Sequence, residues 1–188
     1  MKNLKSIAFA FLVVLSTLSV TAQTKKVDAT QSTINWVGKK VTGQHEGTVN
    51  LKDGALVFKG KKLVGGNFTV DMTSISSTDL NGNSKENLNG HLKSDDFFGT
   101  DNFPTATLVF KSLVEKAKNV YTITADLTIK GKTNPITFDL ATKKNTAATT
   151  LKVDRTKYDI KYKSGNFFEN LGDKVIYDDF DLTVALKF

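Results

Sequence analysis

Apolar and polar residues alternate with period two through most of this chain. Tyr121, Ile123, Ala125, Leu127 and Ile129 share one parity, and Thr122, Thr124, Asp126, Thr128 and Lys130 share the other. This is the pattern of a strand with one face in an apolar interior and one in water. The alternation recurs at Phe68, Val70 and Met72, at Leu108 and Phe110, and at Ile136, Phe138 and Leu140. It returns at Tyr158, Ile160 and Tyr162, and at Leu182, Val184, Leu186 and Phe188, so strands are expected there too. Between the runs stand Asp53-Gly54, Lys59-Gly60, Gly131-Lys132-Thr133-Asn134-Pro135 and Ser164-Gly165-Asn166. Glycine supplies positive φ and Asn or Asp tolerates it, so each is expected to reverse the chain between antiparallel strands. No long helical periodicity separates the runs, which argues against parallel βαβ construction.

One interval, Ser76 to Pro104, breaks the pattern. Ser84 is placed to cap a helix, Leu88 and Leu92 fall on one helical face, and Gly90 weakens the helix between them. Ser94 is then expected to cap a further short turn carrying Asp95 and Asp96, with Phe97, Phe98 and Phe103 pointing inward as an apolar stopper. Strands with one apolar face bury it against a second sheet or by closing on themselves. Closure removes exposed edges, and the insertion falls where a barrel needs an end cover. The pattern therefore favours an all-β fold, an antiparallel eight-stranded barrel with a short helical insertion, over a sandwich.

The first residues follow another plan. Lys2 and Lys5 precede an apolar run from Ile7 to Leu15, and small and polar residues lead to Ala22. This is the layout of a secretory signal peptide over residues 1–22, with cleavage after Ala22; Ser16, Thr17 and Ser19 interrupt the run well short of the ~20 apolar residues a spanning helix needs. Residues 23–188 then suit one domain, and the expected location is periplasmic or secreted. Cysteine is absent, which excludes disulfides and thiolate metal sites. The formal charge of +7 falls to +5 without Lys2 and Lys5, and Lys39-Lys40, Lys61-Lys62 and Lys143-Lys144 sit beside turns rather than in one stripe. Spread charge of this kind reports solubility, and nucleic acid is not an expected partner.

Familiar catalysis finds little support. His91, Ser94 and Asp95 are neighbours, but no G-x-S-x-G elbow accompanies them, and a triad gathers residues from distant segments. His91 is better read as a hydrogen bond fixing the insertion to the barrel rim. Gly131-Lys132-Thr133 lacks the earlier glycine of a phosphate loop, and Asp178, Asp179 and Asp181 lack the ligand spacing of a calcium loop. No enzyme activity, cofactor or metal is expected. The thirteen phenylalanines weigh more. Phe68, Phe110 and Phe138 hold the apolar parity of separate strands, so closure brings their rings into one interior, as dry core or as cavity lining.

His91-Leu92-Lys93-Ser94-Asp95-Asp96-Phe97-Phe98 with Phe103-Pro104 resembles the H-L-x-S-x-D-F-F…F-P signature of the YceI family. Val27-Asp28 through Ser32, Phe68-Thr69-Val70-Asp71, Ala125 through Thr133, and Asp154 through Ile160 are similar to other blocks of that family. Ala125 and Asp159 stand where the family usually has glycine, and the second is expected to alter the local twist. The resemblance implies an extended lipocalin-like barrel that holds a long apolar chain in its lumen, a polyisoprenoid or a similar lipid such as a fatty acid or amide. Expected lining residues are Trp36, Phe68, Val70, Phe110, Ile123, Leu127, Phe138 and Leu182, with Phe97 and Phe98 closing or flanking the tunnel. The expected partners are that lipid and, in a homodimer, a second copy of the chain. The rival reading is a secreted stress-protective or protein-interaction module with a packed barrel.

Overall fold

The computed structural model describes residues 21–188, so the expected signal peptide falls, but for its last two residues, outside the described residues. The alternating segments form antiparallel strands: β1 (Ala22–Lys26), β2 (Thr33–Lys40), β3 (Gly43–Lys59), β4 (Lys62–Ser77), β5 (Thr105–Ala117), β6 (Val120–Ile129), β7 (Lys132–Lys143), β8 (Thr146–Asp154) and β9 (Ile176–Lys187). The helix α1 (Gly82–Lys93) lies between β4 and β5. Each strand from β2 to β9 pairs with the next, and β2 also pairs with β9, so these eight close into a barrel. β1 is an extra strand. It follows the line of β2 along the second half of β3, after a break at the 3₁₀ turn Ala29–Gln31, which Asp28 caps by accepting from the Thr30 and Gln31 amides.

Two ends follow from this order. The β2–β3, β6–β7 and β8–β9 connections and α1 lie at one end, the covered end, and the β3–β4, β5–β6 and β7–β8 turns at the other. Apolar residues of the expected parity fill the interior: along β6, Tyr121, Ile123, Ala125, Leu127 and Ile129 are all buried and their neighbours are not.

Four local expectations need correction. Asp53-Gly54 does not reverse the chain; it sits inside the 17-residue β3 at a register shift between Leu51 and Asp53. Glycine is needed there because the Phe68 ring lies on it, and a Cβ would stand 2.5 Å from Phe68 Cδ1. Tyr158, Ile160 and Tyr162 form no strand. Arg155–Tyr158 is a 3₁₀ turn whose first amide bond goes to the Asp154 carboxylate, and Asp159 ends it at φ +62°. Tyr158 and Ile160 are buried at 1% and 0% exposure by irregular chain, which imitates strand parity without a ladder. Ser84 caps nothing, since α1 begins at Gly82 after Asn81 and runs through Gly90. Ser94 ends α1 instead: its hydroxyl donates back to the His91 carbonyl (2.8 Å), and its carbonyl accepts from Phe97 and Gly99.

Candidate functional site

An apolar cavity of about 140 Å³ lies beneath the helical insertion. Inward residues of β2, β4, β6 and β9 form its walls, Trp36, Val70, Leu127 and Leu182 among them, and Phe97 and Phe98 form its roof. Trp36 donates its indole N–H to the Thr48 carbonyl (3.2 Å), so the polar atom is satisfied by β3 while the ring faces the cavity. At the rim Arg155, Tyr177 and Asp179 are the polar contributors.

The roof is held by the segment that looked catalytic. After Ser94 the chain folds back on α1 through bonds from the Phe98 amide to the Leu92 carbonyl (3.1 Å) and from the Thr100 amide to the Lys93 carbonyl (2.9 Å). Gly99, at φ +56°, allows this reversal, and it presents both phenylalanines on one tight turn. Phe98 meets Phe180 of β9 edge to face, with centroids 6.5 Å apart. Phe103 packs on Gly131 at the β6–β7 turn and takes no part in the cavity wall. Asn89 ties α1 to β4 by accepting from the Ser77 amide (2.8 Å) and donating to the Ser76 hydroxyl (3.2 Å).

His91 does not bond the barrel rim. Its Nε2 pairs with Asp96 within the insertion (3.1 Å), and its ring packs edge-on against Phe97 and Tyr162. It fixes the insertion by packing rather than by a rim hydrogen bond. The Ser94 hydroxyl is engaged with a helix carbonyl, so His91, Ser94 and Asp95 form no nucleophile–base array. Asp178, Asp179 and Asp181 pair separately with Arg155, Lys152 and Lys39, and no cluster with metal-ligand geometry occurs among the described residues.

Arg155 is the one buried cation of the site, at 4% exposure. Its guanidinium donates to the carbonyls of Ile160 (2.9 Å), Ile176 (2.9 Å) and Tyr177 (3.1 Å) and to the Asp178 carboxylate (3.4 Å). Burial lowers its pKa, and Asp178 and Asp154 oppose that; an arginine stays charged under such a shift. It clamps the irregular chain after β8 to the start of β9.

Of the lining residues expected from sequence, Trp36, Val70, Phe97, Phe98, Leu127 and Leu182 meet at the cavity, and Phe68, Phe110, Ile123 and Phe138 do not. These four pack toward the other end, where Phe110 touches Phe68 and Phe138 with centroids 5.7 and 6.2 Å apart and Ile123 is fully buried. Sequence reasoning passed over Ile34, Met72, Leu92, Ile129 and Phe180, which also line the cavity. Ile34 shares the parity of Trp36, and Phe180 that of Leu182. The aspartates beside Phe180 hid the alternation.

A closed antiparallel barrel with a helical cover over an apolar cavity is a lipocalin-like barrel of the extended kind. Within that class the chain belongs to the YceI-like family, since the YceI-like domain matches residues 26–188. Among curated relatives, a UPF0312 protein of Staphylococcus aureus is 51% identical over 55 residues, which cover 29% of this chain and 29% of that protein. A UPF0312 protein of Shewanella denitrificans is 35% identical over 91 residues, or 48% of this chain and 46% of its own length. The chain thus matches less than half the length of either. Among solved structures, Burkholderia cenocepacia BcnA aligns with a TM-score of 0.69 at 22% identity, over 85% of this chain and 98% of that one. A polyisoprenoid binding domain from Saccharophagus degradans, implicated in plant cell wall breakdown, gives 0.58 at 16% identity over 86% and 95%. The Campylobacter jejuni YCEI protein gives 0.53 at 15% identity over 100% and 98%. At these identities the likeness to solved structures is one of fold.

Proposed function

We propose that this chain is an exported binding protein that takes a long apolar chain, a polyisoprenoid or a similar lipid such as a fatty acid or amide, into the barrel lumen. The observation that carries the reading is the cavity itself, walled by hydrocarbon and aromatic rings and roofed by Phe97 and Phe98. Enclosing hydrocarbon removes it from water at roughly 25 cal/mol per Å². The polyisoprenoid-binding domain that shares the fold supports the same ligand class, and the layout of residues 1–22 supports export.

Size sets the mechanism. A cavity of about 140 Å³ is close to the ~150 Å³ that admits a benzene ring, enough for the end of a chain and not for its length. A longer ligand enters by displacing Phe98 from Phe180 and then shifting the rings of Phe110 and Phe138. Arg155 is fully engaged with carbonyls and Asp178, so it holds the rim rather than a lipid headgroup.

Two measurements test this. Organic extraction of the purified protein followed by mass spectrometry is expected to recover a prenyl or acyl lipid. Trp36 is the sole tryptophan and lines the cavity, so its emission is expected to shift on titration with long prenyl chains or fatty amides. Ala106→Phe fills the cavity from β5 and is expected to abolish that shift in a variant that still folds. An empty extract together with unchanged Trp36 emission would favour the packed interaction module instead.

A further inference from the structure

Lysines that look scattered along the sequence are gathered by the topology. The three turns at the uncovered end carry Lys59, Lys61 and Lys62, then Lys116 and Lys118, then Lys143 and Lys144, and Lys187 lies beside them at the end of β9. All eight are exposed. Few side-chain carboxylates accompany them among the described residues: Glu115 near Lys62 (3.5 Å), Asp139 beside Lys116 (2.7 Å), and Asp28, whose amide donates to the Lys187 carbonyl (2.7 Å). The covered end is different. Its segments 39–46, 78–104, 130–132 and 154–181 hold eleven Lys and Arg against thirteen Asp and Glu. The uncovered end therefore carries about +5 and the covered end about −2, by side chains alone.

Apolar side chains stand among these lysines. Val64 on β4 and Val114 on β5 are 46% and 69% exposed, and the Lys62–Glu115 pair joins their two strands. Every basic group at this end is a lysine, a hydrated point charge without the planar fork that reads individual phosphates. Point charges spread over three turns suit a diffuse anionic surface, and exposed valines suit an apolar layer just below it.

We propose that the lysine-rich end docks on an anionic lipid bilayer, with Val64 and Val114 entering the headgroup layer and the covered cavity held away from the membrane. This stands independently of what the cavity binds. A protein so oriented exposes α1 and the roof to the aqueous side, where a ligand or a second partner approaches. The competing geometry is docking by the covered end, where Phe167 and Phe168 are 51% and 50% exposed.

Vesicle co-sedimentation separates the two. The probes are phosphatidylcholine vesicles alone and vesicles with about a third phosphatidylglycerol, a content that gives a negative surface. The protein of residues 23–188 is expected to sediment with the second and not the first, and to be released by salt. The triple variant Lys61→Gln, Lys118→Gln, Lys143→Gln touches no ion pair and is expected to lose roughly fivefold per lysine, about a hundredfold together. The triple variant Lys132→Gln, Lys157→Gln, Lys174→Gln makes the same charge change at the covered end and is expected to lose less than about fivefold. Far-UV circular dichroism checks that both remain folded. Equal losses in the two triples, or a larger loss in Phe167→Ser with Phe168→Ser, would overturn the orientation. No binding to anionic vesicles, or retention on heparin without it, would overturn the membrane assignment.

Discussion

Arg155→Met gives the sharpest test of how the site is held together. The substitution keeps most of the hydrocarbon stem and removes every donor, leaving the carbonyls of Ile160, Ile176 and Tyr177 and the Asp178 carboxylate without their partner. The bond to Ile160 is buried, so its carbonyl bears the full cost of about 1–3 kcal/mol. The other bonds are partly buried and recover some of the loss through water. With the broken ion pair, the expected loss is about 3–5 kcal/mol. For a domain of this size that corresponds to a fall in melting temperature of roughly 6–20 °C. Arg155→Lys separates geometry from charge, because one ammonium cannot reach carbonyls on both segments and is expected to recover less than half. Urea denaturation followed by far-UV circular dichroism, with Trp36 emission as a second probe, reads both variants. A loss below about 1 kcal/mol for Arg155→Met, or an Arg155→Lys variant as stable as the parent, would refute the clamp.

Other substitutions probe separate physical terms. Burial alone would raise the pKa of Asp79, but bonds from His45, Ser77 and the Glu46 amide outweigh it and bring it down to about 2. Its stabilisation is therefore present above roughly pH 4 and lost as the pH falls towards 2; it is on the order of 1 kcal/mol after solvent screening, and Asp79→Asn should flatten denaturation curves in that window. The Tyr158 hydroxyl is buried with no hydrogen-bond partner among the described residues, and burial raises its pKa to about 12, so Tyr158→Phe should be neutral or stabilising by up to about 1 kcal/mol. Asp159 sits at φ +62°, so Asp159→Gly should match or exceed the parent in thermal melts and Asp159→Val should lower the midpoint. At Gly47 a Cβ would stand 2.0 Å from the Ser76 carbonyl oxygen and 2.5 Å from the Trp36 ring. Gly47→Ala should thus cost about 1–3 kcal/mol and shift Trp36 emission.

The barrel was legible because its interior obeys parity. Alternation placed Val70, Leu127 and Leu182 on inward faces, and closure brought them together at the cavity, so part of its wall followed from period two. Parity says which face a residue occupies and nothing of its depth along the barrel. Ile123 and Leu127 share a face of β6 but lie toward different ends, which is why Phe68, Phe110, Ile123 and Phe138 read as lining and pack elsewhere. Arg155 carried no pattern of its own; its contacts go to carbonyls about five and twenty residues away, a separation that local sequence does not encode. Asp159 was readable as a departure from glycine. Its left-handed conformation supplies the reason for that glycine, and Asp is among the residues that tolerate it best.

Glycines on β3 and β4 decide how much of the lumen the aromatic residues leave open. The Trp36 ring lies against Gly47, Phe68 against Gly54, and Phe110 against Gly66, where a Cβ would stand 2.5, 2.5 and 2.8 Å from the nearest ring atoms. Rings seated on bare backbone lie along the wall, whereas the same rings over any larger residue would project across the barrel. At the covered end Trp36 lines the cavity beneath Phe97 and Phe98, which are carried on a turn. Toward the other end Phe138 and Tyr121 are buried, and Phe138 packs against Phe110. Under the proposed function, a ligand would gain length by moving rings along glycine-backed walls, at a rotamer cost on the order of 1 kcal/mol per ring, and not by separating strands. On that reading a closed barrel would admit a chain while its ladder stays intact.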